Sequence, residues 1–128
     1  MPHNDCLLVE IGISNCEVTK VLVDTGNSVD LIFKNTLEKM QISLIDMKPS
    51  TRSLTGFNGS SETVLGTICL RVHAQGVTKT IKFSVVGVRA PYNAILGTLW
   101  IHAMKAISST YHQCVMFPGN DSRVTTLR

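Results

Sequence analysis

The stretch VLVDTGNSVDLIF, residues 21–33, places a single Asp-Thr-Gly between two runs of β-branched and aliphatic residues. Such runs favour buried strands, so the turn between them is expected inside the fold and not at an exposed tip. Asp-x-Gly by itself often marks an ordinary turn, because Asp bonds to nearby backbone groups and Gly supplies a positive φ. Here Thr25 adds a hydroxyl beside the Asp24 carboxylate, and Gly26 allows a backbone N–H to approach it closely. The stretch therefore favours a carboxylate that is held in place over one that only caps a turn.

Short runs of Val, Ile, Thr and Leu broken by Gly, Asn and Ser recur along the chain, and this pattern predicts strands. Strands are expected at residues 6–13, 17–24, 29–33, 64–74, 77–88, 93–97 and 114–117. The spacing of apolar residues predicts one short helix over 34–40 and a second over 98–106. The glycine-bearing cluster GFNGSS, residues 56–61, interrupts two extended segments, as in a long hairpin. The sequence therefore predicts a small all-β sandwich or barrel with two short helices.

Composition limits the class of protein. A chain of 128 residues that is 44% apolar can bury the core of one domain. The net charge is +3 and the basic residues are scattered, which argues against nucleic-acid binding. No apolar run approaches the roughly 18 residues of a membrane span, and no secretory signal is recognisable, so an intracellular protein without a membrane segment is expected. The four widely spaced cysteines favour free, mostly buried thiols over disulfides.

Other catalytic patterns fit less well. Gly26-Asn27-Ser28 begins a Gly-x-Ser-x-Gly nucleophile motif, but the second Gly is missing. The four histidines show no metal-ligand spacing with one another or with the cysteines, so neither a metal nor another cofactor is expected. Asp30 stays open, either as a polar residue facing a substrate or an interface, or as a strand-end residue satisfied by water.

A carboxylate buried alone is costly unless its pKa shifts or it finds a partner. Two carboxylates about 3 Å apart can share one proton, and the pair can activate a water as base while protonating a carbonyl as acid. The chain contains one Asp-Thr-Gly. A pair of this kind therefore requires two copies of the chain, with Asp24 of each near a twofold axis.

VLVDTGNSVDLI resembles the active-site loop of retropepsins, the homodimeric aspartic proteases of retroviruses and LTR retrotransposons. LTGFNG, residues 54–59, lies where that family has its flap, and AILGTLW, residues 94–100, resembles the apolar-apolar-Gly segment before its C-terminal helix. Three stretches are most similar to the protease region of plant gypsy-class LTR retrotransposon Gag-Pol polyproteins: HNDCLLVEIGI, YNAILGTLW and ISSTYHQCVMFP. The resemblance covers nearly the whole chain. It implies a closed retropepsin-like barrel or sandwich, one lobe per chain, with a flap hairpin.

The resemblance also implies roles for single residues. Asp24 would be the catalytic aspartate, Thr25 the residue whose hydroxyl locks two loops together across the dimer, and Gly26 a point of close backbone approach. The implied substrate-binding residues are Asn27, Ser28, Gly56, Phe57, Asn58 and Gly59. The implied supports of the active-site loop are Ile95, Leu96 and Gly97. Asn27 departs from the Ala or Ser that is more usual in the family.

The function implied by the resemblance is peptide-bond hydrolysis in a homodimer, with a retrotransposon polyprotein as substrate. Residues 1–118 would form the protease domain, and residues 119–128 a polar, frayed tail or linker. The protein is expected in the cytoplasm or within retrotransposon particles. The alternative, favoured by Asn27, is a module that keeps the fold and the dimer, or binds peptides, with little or no proteolysis.

Overall fold

The computed structural model describes residues 6–49, 53–55, 61–109, 114–119 and 123–127. Most of these residues lie in strands, because β-branched and aliphatic side chains dominate the runs between turns. The strands are β1 (Cys6–Ile13), β2 (Cys16–Asp24), β3 (Leu31–Phe33), β4 (Lys48–Pro49), β5 (Ser53–Thr55), β6 (Ser61–Ala74), β7 (Val77–Val86), β8 (Ala94–Leu96), β9 (Ile107–Ser109), β10 (Cys114–Pro118) and β11 (Val124–Leu127). The helices are α1 (Lys34–Lys39) and α2 (Thr98–Met104), with a 3-10 turn at Leu44–Asp46.

Six strands close into a barrel. Their hydrogen-bonded order is β1-β2-β8-β3-β7-β6, and β6 pairs back onto β1 at Gly12 and Ile13. The β2–β8 and β3–β7 pairs are parallel, whereas the other pairs in the ring are antiparallel. Closure removes free sheet edges and leaves an interior for packed side chains. The all-β barrel with short helices agrees with the prediction from sequence.

The strands near the Asp-Thr-Gly are buried on both faces. Alternate side chains of a strand point to opposite sides, and in β2 the side chains of Val21 and Val23 join the main core while Leu22 joins a second cluster. That second cluster also contains Leu31 and Phe33 of β3. The double burial explains why the runs beside Asp24 are continuously apolar and do not alternate with polar residues.

The C-terminal segment differs from the sequence expectation. Residues 124–127 do not fray, but form β11 antiparallel to β10, and β9 completes a separate three-stranded sheet. Leu127 is buried in the main core with Val115 and Phe117 of β10. The expectation of a frayed polar tail is therefore wrong for these four residues, because one apolar side chain packs while the backbone pairs. The domain boundary after residue 118 stays a prediction.

The cysteine side chains are less buried than the sequence predicted. Cys16, Cys69 and Cys114 carry free thiols, but Cys114 alone of these three is buried and Cys69 is exposed, so the expectation of mostly buried thiols is wrong for the described side chains. Cys69 lies on the outward face of β6, where the barrel wall meets solvent.

Within the described residues, no helix has both the length and the apolar character that crossing a membrane requires.

Candidate active site

Asp24 is the last residue of β2, and the loop that follows it, residues 25–30, leads into β3. The Gly26 N–H donates to Asp24 Oδ1 at 2.9 Å, and the Asn27 N–H donates to the Asp24 carbonyl oxygen at 3.1 Å. The Asp24 side chain is half-buried. The carboxylate is therefore oriented by its own loop but remains accessible from solvent, as an acid or base acting on a bound molecule requires.

Strand β8 holds both ends of this loop. It pairs in parallel with β2, placing Leu96 beside Val23, and in antiparallel with β3, placing Ile95 beside Leu31. Ile95 and Leu96 are fully buried, one in each hydrophobic cluster. A three-residue strand between the two strands that carry the loop restricts where Asp24 can lie. The supporting role of Ile95 and Leu96 stays a prediction.

Gly97 lies directly against the loop backbone. A Cβ atom placed on Gly97 would lie 2.5 Å from the Val29 carbonyl oxygen and would also clash with the Asn27 carbonyl oxygen. The next residue, Thr98, donates its N–H to the same Asn27 oxygen at 2.9 Å. Gly97 is therefore required here for its lack of a side chain, because two backbone segments meet at this point.

Asn27 turns its side chain onto its own loop. Its Oδ1 accepts from the Val29 N–H at 3.3 Å, a local turn that Asn forms readily. The departure from Ala or Ser is thus compatible with the loop conformation. Thr25 is half-buried, and Ser28 and Gly26 are exposed on the same loop.

The predicted flap falls partly outside the described residues. Gly56, Phe57, Asn58 and Gly59 are not among them. The strands on either side, β5 and β6, pair in antiparallel register from Ser53 opposite Thr63 to Thr55 opposite Ser61. The flap at residues 54–59 stays a prediction.

Asp30 is the residue that sequence reasoning left undecided. Its side chain is fully buried, and its Oδ1 accepts from the Gly97 N–H at 2.7 Å and from the Trp100 N–H at 3.4 Å. Its Oδ2 is buried and has no hydrogen-bond partner among the residues that the structure describes. Burial raises the pKa of the Asp30 carboxyl from 3.8 to about 6, although the two N–H groups favour the charged form. The sequence signal was an acid inside an otherwise apolar run, where solvation by water is least expected.

Asp30 predicts a pH dependence of stability. The folded protein binds this proton more tightly than the unfolded chain, so its contribution to stability is complete below about pH 3.8 and is lost as the pH rises through about 6. Between pH 4 and pH 7.5 the loss amounts to roughly 2 kcal/mol. Urea unfolding across this range should show that dependence in the wild type, and Asp30→Asn should lack this part of it. Parallel pH curves for the two proteins would contradict the prediction.

Among the residues that the structure describes, no group of three or more His, Cys, Asp or Glu side chains could hold a metal ion.

The fold is similar to that of several solved structures. The retroviral protease-like domain of Ddi1 from Leishmania major superposes with a TM-score of 0.64 at 18% identity, covering 95% of this chain and 94% of that chain. A retropepsin-like aspartic protease from Rickettsia conorii superposes with a TM-score of 0.60 at 20% identity, covering 94% of this chain and 80% of that chain. No protein-family model and no curated protein matches the sequence.

The closed six-strand barrel with two short helices is thus a retropepsin-like fold, as the sequence predicted. In this fold Asp24, the loop after it and Gly97 come together, although Asp24 and Gly97 are far apart in the chain. The catalytic and substrate-binding roles of the loop residues stay predictions.

Proposed function

We propose that two copies of this chain form an aspartic endopeptidase, each contributing Asp24 to one active site. The observation that carries the proposal is the Asp24 carboxylate, accessible at a strand end and oriented by the Gly26 N–H, in a chain with a retropepsin-like fold. A lone Asp-Thr-Gly per chain requires the second copy, because one carboxyl group cannot act as acid and base at the same time.

The proposed reaction uses neither a covalent intermediate nor a metal. One Asp24 is ionised and the partner's Asp24 is protonated, and the water between them attacks the scissile carbonyl carbon. The ionised carboxylate takes a proton from the water as the protonated one donates to the carbonyl oxygen, which gives a tetrahedral diol. The C–N bond then breaks as the newly protonated carboxyl group gives its proton to the amine nitrogen and the other carboxylate takes one from a diol hydroxyl, so that the pair again holds one proton. An extended peptide would lie between the loops and the flaps, held by backbone hydrogen bonds. Residues 56–59 would close over it and exclude water.

The outer face of the β9–β10–β11 sheet supports self-association. Ile107 and Val124 are 66% and 72% exposed there, and half-buried Met116 is the register partner of Ile107. The opposite face, with Val115 and Leu127, is already buried in the core. An apolar sheet face exposed in the single chain is the kind of surface that a second copy covers.

The natural substrate in this proposal is the polyprotein of a retrotransposon, within which the chain would be the protease segment. The resemblance of three sequence stretches to plant gypsy-class Gag-Pol polyproteins supports this assignment. Cleavage would then take place in the cytoplasm or in retrotransposon particles. The second candidate is a dimeric module with little or no proteolysis, which the unusual Asn27 favours.

The first test is cleavage of a broad peptide library at about pH 5 by the wild-type chain. We expect cleavage, inhibition by pepstatin-type transition-state mimics, and a dimer in sedimentation equilibrium at high protein concentration. A protein that dimerises and cleaves nothing supports the binding module instead. A strict monomer at high concentration contradicts the proposed mechanism, because one Asp24 cannot form the pair.

A further inference from the structure

Asp30 is the one buried charged residue in the part of the chain that the structure describes. Its carboxyl group does not reach the surface, so it cannot touch a bound peptide. It joins two segments that are distant in sequence, because the Gly97 and Trp100 N–H groups that it accepts from lie 67 and 70 positions further along. Burying a carboxyl group costs free energy, and Asp30 Oδ2 has no hydrogen-bond partner within the described part of the chain. This cost in free energy indicates that the contact between Asp30 and the start of α2 has a role.

The segment that Asp30 binds continues to Asp24 through three further contacts. Gly97 packs on the carbonyl oxygens of Asn27 and Val29. The Thr98 N–H donates to the Asn27 oxygen at 2.9 Å. The Asn27 N–H in turn donates to the Asp24 carbonyl oxygen at 3.1 Å. A continuous set of short backbone contacts therefore joins Asp30, the start of α2 and Asp24.

We propose that Asp30 is a positioning residue for Asp24: by accepting from the Gly97 and Trp100 N–H groups, it holds the start of α2 against the active-site loop and sets the direction of the Asp24 carboxyl group. The catalytic consequence rests on the proposed function. The mechanical link between α2 and the loop does not, and it can be measured in a protein without activity.

Kinetics can distinguish two roles for Asp30. It could only stabilise the start of α2, or it could also position Asp24. Loss of stability lowers the amount of folded enzyme and leaves the kcat of the folded fraction unchanged. Misplacement of a catalytic group by a fraction of an ångström lowers kcat itself. KM should hardly change, because Asp30 makes no contact with the peptide.

The kinetic test compares Asp30→Ala and Asp30→Asn at pH 5 with Asp46→Ala and Asp46→Asn. Asp46 is exposed in the 3-10 turn, which makes it a matched control for each substitution. Alanine removes the acceptor, so kcat should fall at least about tenfold with KM within about twofold. Asparagine keeps an Oδ1 acceptor and resembles the protonated acid, so kcat should stay within about threefold of wild type. Wild-type kcat in Asp30→Ala, or an equal loss in Asp30→Asn, would overturn the proposal.

The second test is amide hydrogen exchange, which requires neither activity nor a variant that folds. In the wild type, the Gly97, Thr98 and Asn27 amides should open with one common free energy, because a single link protects them. In Asp30→Ala, where it folds, the Thr98 and Asn27 amides should exchange at least about tenfold faster than in Asp46→Ala. Independent opening of Asn27 and Thr98 in the wild type would refute the link. A wild type that cleaves nothing would refute the proposed function and leave this result unaffected.

Discussion

Asp24→Asn should lower kcat/KM for a cleaved peptide at least about a thousandfold while leaving the fold and the dimer intact. Asparagine can neither ionise nor take a proton from water, so both roles of the carboxyl pair disappear. Its Oδ1 can still accept from the Gly26 N–H, a bond of 2.9 Å in the native loop, so the loop conformation should survive. Asp46→Asn, an exposed change of the same type, is the control for general effects of removing one charge.

A mixed dimer makes this prediction sharper. Two differently tagged copies, one wild type and one Asp24→Asn, can be co-expressed and purified through both tags. The mixed dimer should be nearly as inactive as the double variant, because the proton is shared between two carboxyl groups. Half of the wild-type activity in the mixed dimer would instead indicate that each chain works alone, and the shared site would be wrong.

Gly97→Ala should be among the most destabilising single substitutions in the chain. The added Cβ would lie 2.5 Å from the Val29 carbonyl oxygen and would clash with that of Asn27. Relieving both clashes would require the loop backbone to move and the hydrogen bond from the Thr98 N–H to the Asn27 oxygen to break. We expect a loss of about 3 kcal/mol in the free energy of unfolding, which corresponds to a decrease on the order of 10 °C in Tm. The loop that carries Asp24 should also shift, so activity should fall more than stability alone explains.

Gly87→Ala is the matched control for this substitution. Gly87 is exposed, and a Cβ there would meet the Leu65 Cδ1 atom at 3.4 Å, an ordinary contact. Thermal unfolding and peptide cleavage of the two variants should therefore differ clearly. Equal Tm values for Gly97→Ala and Gly87→Ala would show that the loop and the start of α2 are less tightly packed than the structure indicates.

The positions of the main strands follow from local pattern. β1 is a mainly apolar run that a Ser14-Asn15 turn separates from β2, and the predicted and observed bounds of the two strands differ by at most one residue. The third strand is shorter than predicted, because Val29 and Asp30 belong to the loop and β3 begins at Leu31. The Val29 carbonyl oxygen lies against Gly97, and the Asp30 carbonyl oxygen accepts from the Ser84 N–H of β7, so these two residues do not continue the β3 ladder. Local propensity cannot show such a requirement.

Two features lay beyond any local pattern. β11 looked like a polar tail, since only the pairing with β10 and the burial of Leu127 make it a strand. The sequence left Asp30 undecided between surface and interior, because the N–H groups that it accepts from in the interior are 67 and 70 residues away. In both cases the deciding contact joins segments that the sequence pattern treats separately.

The sequence by itself determined the strand-rich fold and the placement of Asp24 between two apolar runs, because side-chain periodicity and turn residues act over a few neighbouring positions. It also pointed to Gly97 through a resemblance. The tertiary structure alone decided that β8 separates β2 from β3, that Gly97 meets the loop backbone, and that Asp30 is buried between them. These are long-range contacts, and their energies depend on which surfaces meet when the barrel closes, not on the residues beside them in the chain.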